Sequence, residues 1–392
     1  MSRDESRGVW LLAIGQTAGF AALVYIFGAI LLSLEAGSGW SRAELALGPT
    51  LALLTQAGLA PFSGRLVDGG HGGALLGGAA LLGALCLALL SQVGHLALWY
   101  ALWVVVGAAQ AASLYETCFS FLLRRLGPEA RCAIIRVTLV AGFASTFAFP
   151  LGAWAGEVLG WRGAILVFAG VQAAVTLPAN LIGVRLLRRG ARRGADLAQV
   201  RAGAVRGVLR RPEFWALALY FGLMMGNHMM LTTYALPILT DRGAAHAVAV
   251  LVASTVGPMQ VAGRLILTLP GLRVRTGTLA RVISLGMTGS SLALLAASGE
   301  PWLFAIYAVG QGASIGVQSI LRPLITAEAL GQDNFGAISG ALAMAPLGAG
   351  ALAPFLGALL IGAGGVTLLL AVTLAFALMA FAIALWLRAR GI

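Results

Sequence analysis

The chain contains no lysine; all 26 of its basic residues are arginine. It is poor in charge altogether, with 10% charged and 59% hydrophobic residues. Soluble domains carry about 25% charged residues, so there is too little polar side chain here to clothe a water-soluble surface. Cysteine is scarce and scattered: Cys86, Cys118 and Cys132 form no CxxC or metal-ligand spacing, and an odd count gives no disulfide framework. No Walker-type phosphate loop is present, which argues against ATP-driven transport. Serine, histidine, aspartate and cysteine are not grouped as a nucleophile and its base, so an intramembrane enzyme is not indicated. A channel would show a charged or carbonyl-rich filter element, and none is recognisable. No cofactor is expected.

What fills the sequence is apolar runs of membrane length. A helix crosses the hydrocarbon core with about 20 apolar residues, and twelve runs qualify: 9–34, 43–67, 74–94, 98–122, 133–158, 164–187, 213–239, 248–269, 278–298, 302–323, 336–362 and 366–387. They run continuously apolar, without the period-two alternation of a barrel, so the expected fold is an all-α integral membrane protein of twelve transmembrane helices.

Arginine sets the expected orientation. Only Arg42, Arg162 and Arg242 fall in the odd-numbered connections. Arg3, Arg7, Arg124, Arg125, Arg131, the dense run from Arg185 to Arg211, Arg273, Arg275, Arg388 and Arg390 lie at the ends of the chain or in even-numbered connections. Positive residues stay inside, so both termini are expected in the cytoplasm, with the protein multi-pass in a bacterial inner membrane. The net charge of +12 is then matched to anionic lipid headgroups rather than to nucleic acid.

The longest polar interruption, 188–212, separates two sets of six spans. The expected organisation is a bundle over 1–187, a cytoplasmic linker over 188–212 and a second bundle over 213–392. Within the linker, Asp196 and Gln199 have capping-pair spacing, and Leu197, Val200, Ala204 and Val208 follow at helical intervals, as in a short amphipathic helix on the membrane surface. The halves repeat weakly but in order. Gly58 and Gly64-Arg65-Leu66 recur as Gly257 and Gly263-Arg264-Leu265. Leu126-Gly127, Ala133-Ile134, Pro150 and Gly160 recur as Leu330-Gly331, Ala337-Ile338, Pro354 and Gly364. Parallel six-helix repeats are a known transporter plan. Small pairs four apart, such as Gly152/Gly156, Gly312/Gly316 and Gly336/Gly340, suit close helix contact.

Gly64-Arg65-Leu66-Val67-Asp68, followed by glycines and His71, resembles the loop signature of the major facilitator superfamily, as does Gly160-Trp161-Arg162. Gly39-Trp40-Ser41-Arg42-Ala43-Glu44 resembles the monocarboxylate and oxalate–formate branch. The chain departs from the signature after Asp68, where a basic pair is usual. The resemblance implies two pseudo-symmetric bundles, secondary transport by alternating access, a gating role for Arg65 and Asp68, and a functional arginine on the eighth helix at Arg264. In the monocarboxylate branch an aspartate stands where this chain has Gln260.

Ionisable groups at membrane depth cost roughly 2.5–3.5 kcal/mol on insertion scales, which makes each a candidate. Glu116 is the only carboxylate well inside a span, and Arg136 on the next helix is placed to pair with it. Glu116 and His228 are the expected proton-coupling groups. Arg264, Gln260, Asn227, His228, Tyr234, Tyr115 and Arg136 are the expected substrate-binding residues. A guanidinium suits a carboxylate through two parallel hydrogen bonds, so the expected cargo is a small organic anion, moved with protons or by exchange, through a monomer. Each residue has a plainer reading: Glu116–Arg136 as a structural ion pair, His228 as a histidine bonded between helices, Arg264 as a counterpart of Arg65 at the cytoplasmic boundary. The largely apolar remainder also fits efflux of hydrophobic drug-like compounds. Met225 and Met229 beside His228 suggest a copper route, although methionines at helical spacing usually just pack, and no resident metal site is expected.

Overall fold

A computed structural model of the chain describes residues 1–190, 204–267 and 274–391. Among these residues it is helical without a strand. Eight uninterrupted helical stretches are long and apolar enough to cross a membrane. A 55-residue stretch such as Phe335–Ala389 would extend about 80 Å if straight, far beyond a bilayer, so the longest ones fold back on themselves. They do so at glycines with positive φ: Gly70 (φ 89°), Gly127 (φ 53°), Gly160 (φ 67°) and Gly365 (φ 70°). The result is twelve rods among the described residues: α1 (Arg3–Ser38), α2 (Arg42–Leu66), α3 (Gly72–Leu90), α4 (96–126), α5 (130–159), α6 (161–190), α7 (212–241), α8 (His246–Ile266), α9 (Thr276–Ala296), α10 (Pro301–Leu330), α11 (335–363) and α12 (366–389). The chain is a multi-pass, all-helical membrane protein. Most of the expected surface helix, with Asp196 and Gln199, lies outside the described residues; a short helix over Ala204–Leu209 is seen.

Local chemistry explains the starts. Ser2 and Glu5 form a reciprocal capping box on α1, and Ser41 and Glu44 form one on α2, with Glu44 N to Ser41 Oγ at 3.3 Å and Ser41 N to the Glu44 carboxylate at 2.8 Å. The Gly39-to-Glu44 motif is therefore, first of all, a helix start: Gly39 turns with φ 75°, and Trp40 packs at 5.8 Å from Trp99 and 6.5 Å from Trp161.

Two compact units emerge. The first holds Met1–Val205 together with Asp333–Ala341; the second holds Arg206–Gln332 and Leu342–Ile392. In the first, Trp99, Trp103, Trp161 and Phe168 anchor an apolar core shared by α1, α4 and α6. In the second, Leu231, Phe304, Tyr307 and Leu369 do the same for α7, α10 and α12. Glycine pairs supply the tightest approaches, as lipid offers helices no hydrophobic drive to associate. Gly152 and Gly156 of α5 seat Ala29 and Ser33 of α1, and Gly312 and Gly316 of α10 seat Val256, Met259 and Gln260 of α8.

Candidate functional site

In the first unit the decisive local event is a break in α4. Leu114 is extended (φ −88°, ψ −162°), although no proline or glycine lies beside it. The break leaves carbonyls without helical donors, and in a membrane these need internal partners. Thr117 Oγ1 donates to Ala111 O (2.9 Å), and Gln16 Nε2 of α1 donates to Ser113 O (2.7 Å). The exchange is mutual: α1 contains a wide turn at Ala21–Tyr25, where Gln110 Nε2 of α4 donates to Leu23 O (2.7 Å). Tyr115 and Glu116 open the second half of α4. A carboxylate there meets the positive end of the restarted helix, and Glu116 is buried. Tyr115 lies 4.4 Å from the Phe20 ring and stacks on Phe119 at 4.7 Å. Arg136 sits in the second turn of α5, where its Nη1 donates to Ser6 Oγ on α1 (3.2 Å).

Asp68, just past α2, is buried, and its two carboxylate oxygens accept from Gly336 N (2.9 Å) and Ala337 N (2.8 Å). These are orphan donors in the first turn of α11, so Asp68 caps a helix that begins 267 residues later in the chain. Arg124 donates to the Asp68 carbonyl. Arg65, by contrast, is exposed and lies over the Phe62 ring at 5.5 Å.

In the second unit a polar chain crosses the core. Asn227 is fully buried; its Nδ2 donates to Thr373 O on α12 (2.7 Å) and Ser291 Oγ on α9 (2.9 Å). Gln311 Nε2 on α10 lies 3.1 Å from Asn227 Oδ1 and 3.2 Å from His228 Nδ1. Met225 and Met229 both pack against Gly350 of α11. Tyr234 ends the regular part of α7, and its hydroxyl donates to Pro354 O on α11 (2.5 Å). Arg264 is buried in the last turn of α8, nearer the end of its helix than the sequence suggests. Its Nε donates to Gly316 O (3.2 Å) and Ser319 Oγ (3.3 Å) on α10. Gln260, one turn earlier on α8, is half-buried, and its backbone meets Gly316.

Sequence reasoning passes over two sets of buried polar groups. Ser291 and Thr373 complete the Asn227 chain. Gln172, Thr176 and Asn180 form a buried stripe at four-residue intervals on α6, and Asn180 Nδ2 donates to Leu76 O (3.0 Å). The four-residue spacing of amides and hydroxyls in an otherwise apolar helix is the signal that could have found them.

The chain matches the Major Facilitator Superfamily over residues 9–280. Among solved structures it resembles FucP, a transporter of that superfamily described in the outward conformation, with a TM-score of 0.75 and 16% identity over 98% of this chain and 99% of that one. It also resembles the human organic anion transporter MFSD10 (TETRAN), with a TM-score of 0.69 and 15% identity over 98% of this chain and 100% of that one. At such identities these two likenesses speak for the fold. No curated protein matches the sequence significantly.

Proposed function

Because the chain belongs to the major facilitator superfamily, and is thus a membrane transporter for small molecules, we propose that its cargo is a small organic anion, moved by alternating access with protons or by exchange. The observation that carries this reading is Arg264. It is 7% exposed on a membrane helix, and its Nε is held by Gly316 O and Ser319 Oγ of α10. Those two acceptors fix the plane of the guanidinium, and a planar, oriented fork is what a carboxylate recognises through paired hydrogen bonds. With Gln260 where the monocarboxylate branch has an aspartate, that position supplies no acid to compete with the substrate. Tyr115, Arg136, Asn227 and Tyr234 are proposed as neighbours of the pathway, and Glu116, buried at the restart of α4, as the proton-coupling carboxyl.

The test is counterflow of labelled monocarboxylates in proteoliposomes. Arg264→Ala should reduce anion exchange by about thirtyfold or more, since removing one partner of a desolvated charge pair costs roughly 2–5 kcal/mol. Arg264→Lys keeps the charge but not the planar fork and should fall between the alanine variant and the wild type. In the same vesicles, Glu116→Gln should lose proton-driven uptake and keep exchange. Wild-type anion exchange in the alanine variant would turn the assignment toward efflux of hydrophobic compounds.

A further inference from the structure

The polar chain through the second unit dictates more than a set of contacts. It starts at Thr373 O, a backbone carbonyl that can only accept. The Asn227 atom 2.7 Å away must therefore be the amide nitrogen, which settles an orientation that side-chain shape alone leaves open. Asn227 Oδ1 is then an acceptor, and the Gln311 atom 3.1 Å from it must be the amide nitrogen. That nitrogen has two hydrogens: one goes to Asn227 Oδ1, and the other points to His228 Nδ1 at 3.2 Å. Nδ1 consequently has to be the acceptor, and a neutral imidazole with Nδ1 unprotonated carries its hydrogen on Nε2.

We propose that the Thr373–Asn227–Gln311 relay locks His228 as a neutral imidazole protonated on Nε2, making it a fixed hydrogen-bond donor to an oxygen of the substrate instead of a carrier of the coupled proton. A second proton would sit on Nδ1 and face the Gln311 N–H group. Turning the Gln311 amide to relieve that would aim its oxygen at Asn227 Oδ1, and turning Asn227 in response would aim its own oxygen at Thr373 O. Each escape exchanges one clash for another, all the way to a carbonyl that cannot change role. Buried networks of this kind act as a unit, because an unmatched polar group in a low-dielectric interior is costly.

The neighbouring helices engage their own titratable groups elsewhere. The phenols are already donating to backbone: on neighbouring α10, Tyr307 to Leu231 O (3.3 Å), and on α7 itself, Tyr234 to Pro354 O of α11 and Tyr220 to Ala280 O of α9 (2.8 Å). From α12 comes Thr373, and from α9 Ser291. Arg264 of α8 meets α10 further along, at Gly316 and Ser319. The ring nitrogen left over, Nε2, is the remaining polar atom of the side chain; His228 is buried, and the residues that flank it on the same face of α7, Met225 and Thr232, are half-buried.

The lock itself can be read without transport. The chain has four histidines, so nitrogen-15 spectra of histidine-labelled protein in nanodiscs are tractable, with His228→Gln identifying the signal. The expected wild-type signal is an Nε2–H tautomer that does not change between about pH 5.5 and 8, the window in which an unconstrained imidazole titrates. Gln311→Met, which keeps the volume and removes the donor, should free the ring to titrate. A wild-type His228 that gains a second proton in that window, or carries its hydrogen on Nδ1, overturns the lock. The donor role rests on the organic-anion reading and is read separately by counterflow. His228→Phe should weaken the apparent affinity about tenfold, and His228→Gln, which retains an N–H, much less; a phenylalanine variant with wild-type affinity overturns the donor role. Failure of the wild type to exchange any monocarboxylate would count against the organic-anion reading, while the spectra would still decide the lock.

Discussion

Replacing Asp68 with alanine is expected to expose the start of α11 and to depress transport by at least about tenfold. The carboxylate accepts from Gly336 N and Ala337 N, both in the first turn of that helix. Hydrogen bonds to a charged partner contribute roughly 1.5–3 kcal/mol each, and a buried N–H left without an acceptor costs about 1–3 kcal/mol. Alanine removes both acceptors and the negative charge that the helix N-terminus favours. Asparagine retains one oxygen and should fall between. The direct readout is hydrogen–deuterium exchange over 333–341: it should quicken strongly in the alanine variant, modestly in the asparagine variant, and little elsewhere in the first unit. Unaltered exchange in that segment would remove the cap as the basis for a gating role. Arg65, exposed over Phe62, has no comparable grip, so any contribution from it should be smaller.

The second large effect concerns Gly316. A methyl group added there would run into the backbone of Gln260, which cannot rotate away as the end of a side chain would. Valine at this position must push α8 and α10 apart, and overpacking of this kind costs about 1–3 kcal/mol and occasionally more. The cost does not end with packing, because Gly316 O is also an acceptor for Arg264 Nε. Gly316→Val should therefore lower the thermal midpoint by several degrees and weaken anion exchange in the same protein. Gly257→Ala on α8 is the matched control: nothing lies within 4 Å of a methyl there, so it should behave as wild type. A valine variant that melts like the wild type would show that the two helices can separate at little cost.

The fold is legible in the sequence because bilayer thickness acts on every span alike. A run of about 20 apolar residues has few fates, and glycine marks where the long helices fold back. Ends are harder to read. The apolar run of span ten gives out near Pro323, yet α10 continues to Leu330, because its polar continuation finds partners: Glu328 accepts from Thr276 Oγ1, and Ala329 O accepts from Arg211 (2.9 Å). The internal repeat slips by one residue at its last match. Gly160 pairs with Gly364 by alignment, whereas Gly365 shares its conformation, with φ/ψ of 70°/−171° against 67°/175°. That region of backbone space is essentially reserved for glycine, so conformation is the firmer guide.

The site is legible only in pieces. Asn227, His228 and Gln311 each stand out as polar residues in apolar helices, but their order of donors and acceptors depends on Thr373 O, a carbonyl of the kind every residue possesses. No side-chain pattern could reveal it. The break at Leu114 is equally hidden: its neighbours include no helix breaker, and what sustains it is Gln16, nearly a hundred residues away in sequence. Arg264 is visible as a charge in an apolar run, while its helical turn is not, because helix ends are set by tertiary partners as much as by local sequence.

The helix ends opposite the arginine clusters are joined by very short links: 39–41, 91–95, Gly160, 242–245, 297–300 and 364–365. Two of the basic residues there are already committed. Arg162 donates to Ser91 O (3.3 Å) and Val93 O (3.1 Å) while lying 4.1 Å from the Trp161 ring, and Arg242 reaches Thr367 Oγ1 (2.7 Å). In a chain without lysine, a trypsin-like protease has only arginine to cut, and at Arg162 and Arg242 it would meet side chains already held by backbone or hydroxyl oxygens. Within either unit, an antibody would likewise find only links of five residues or fewer between these helix ends.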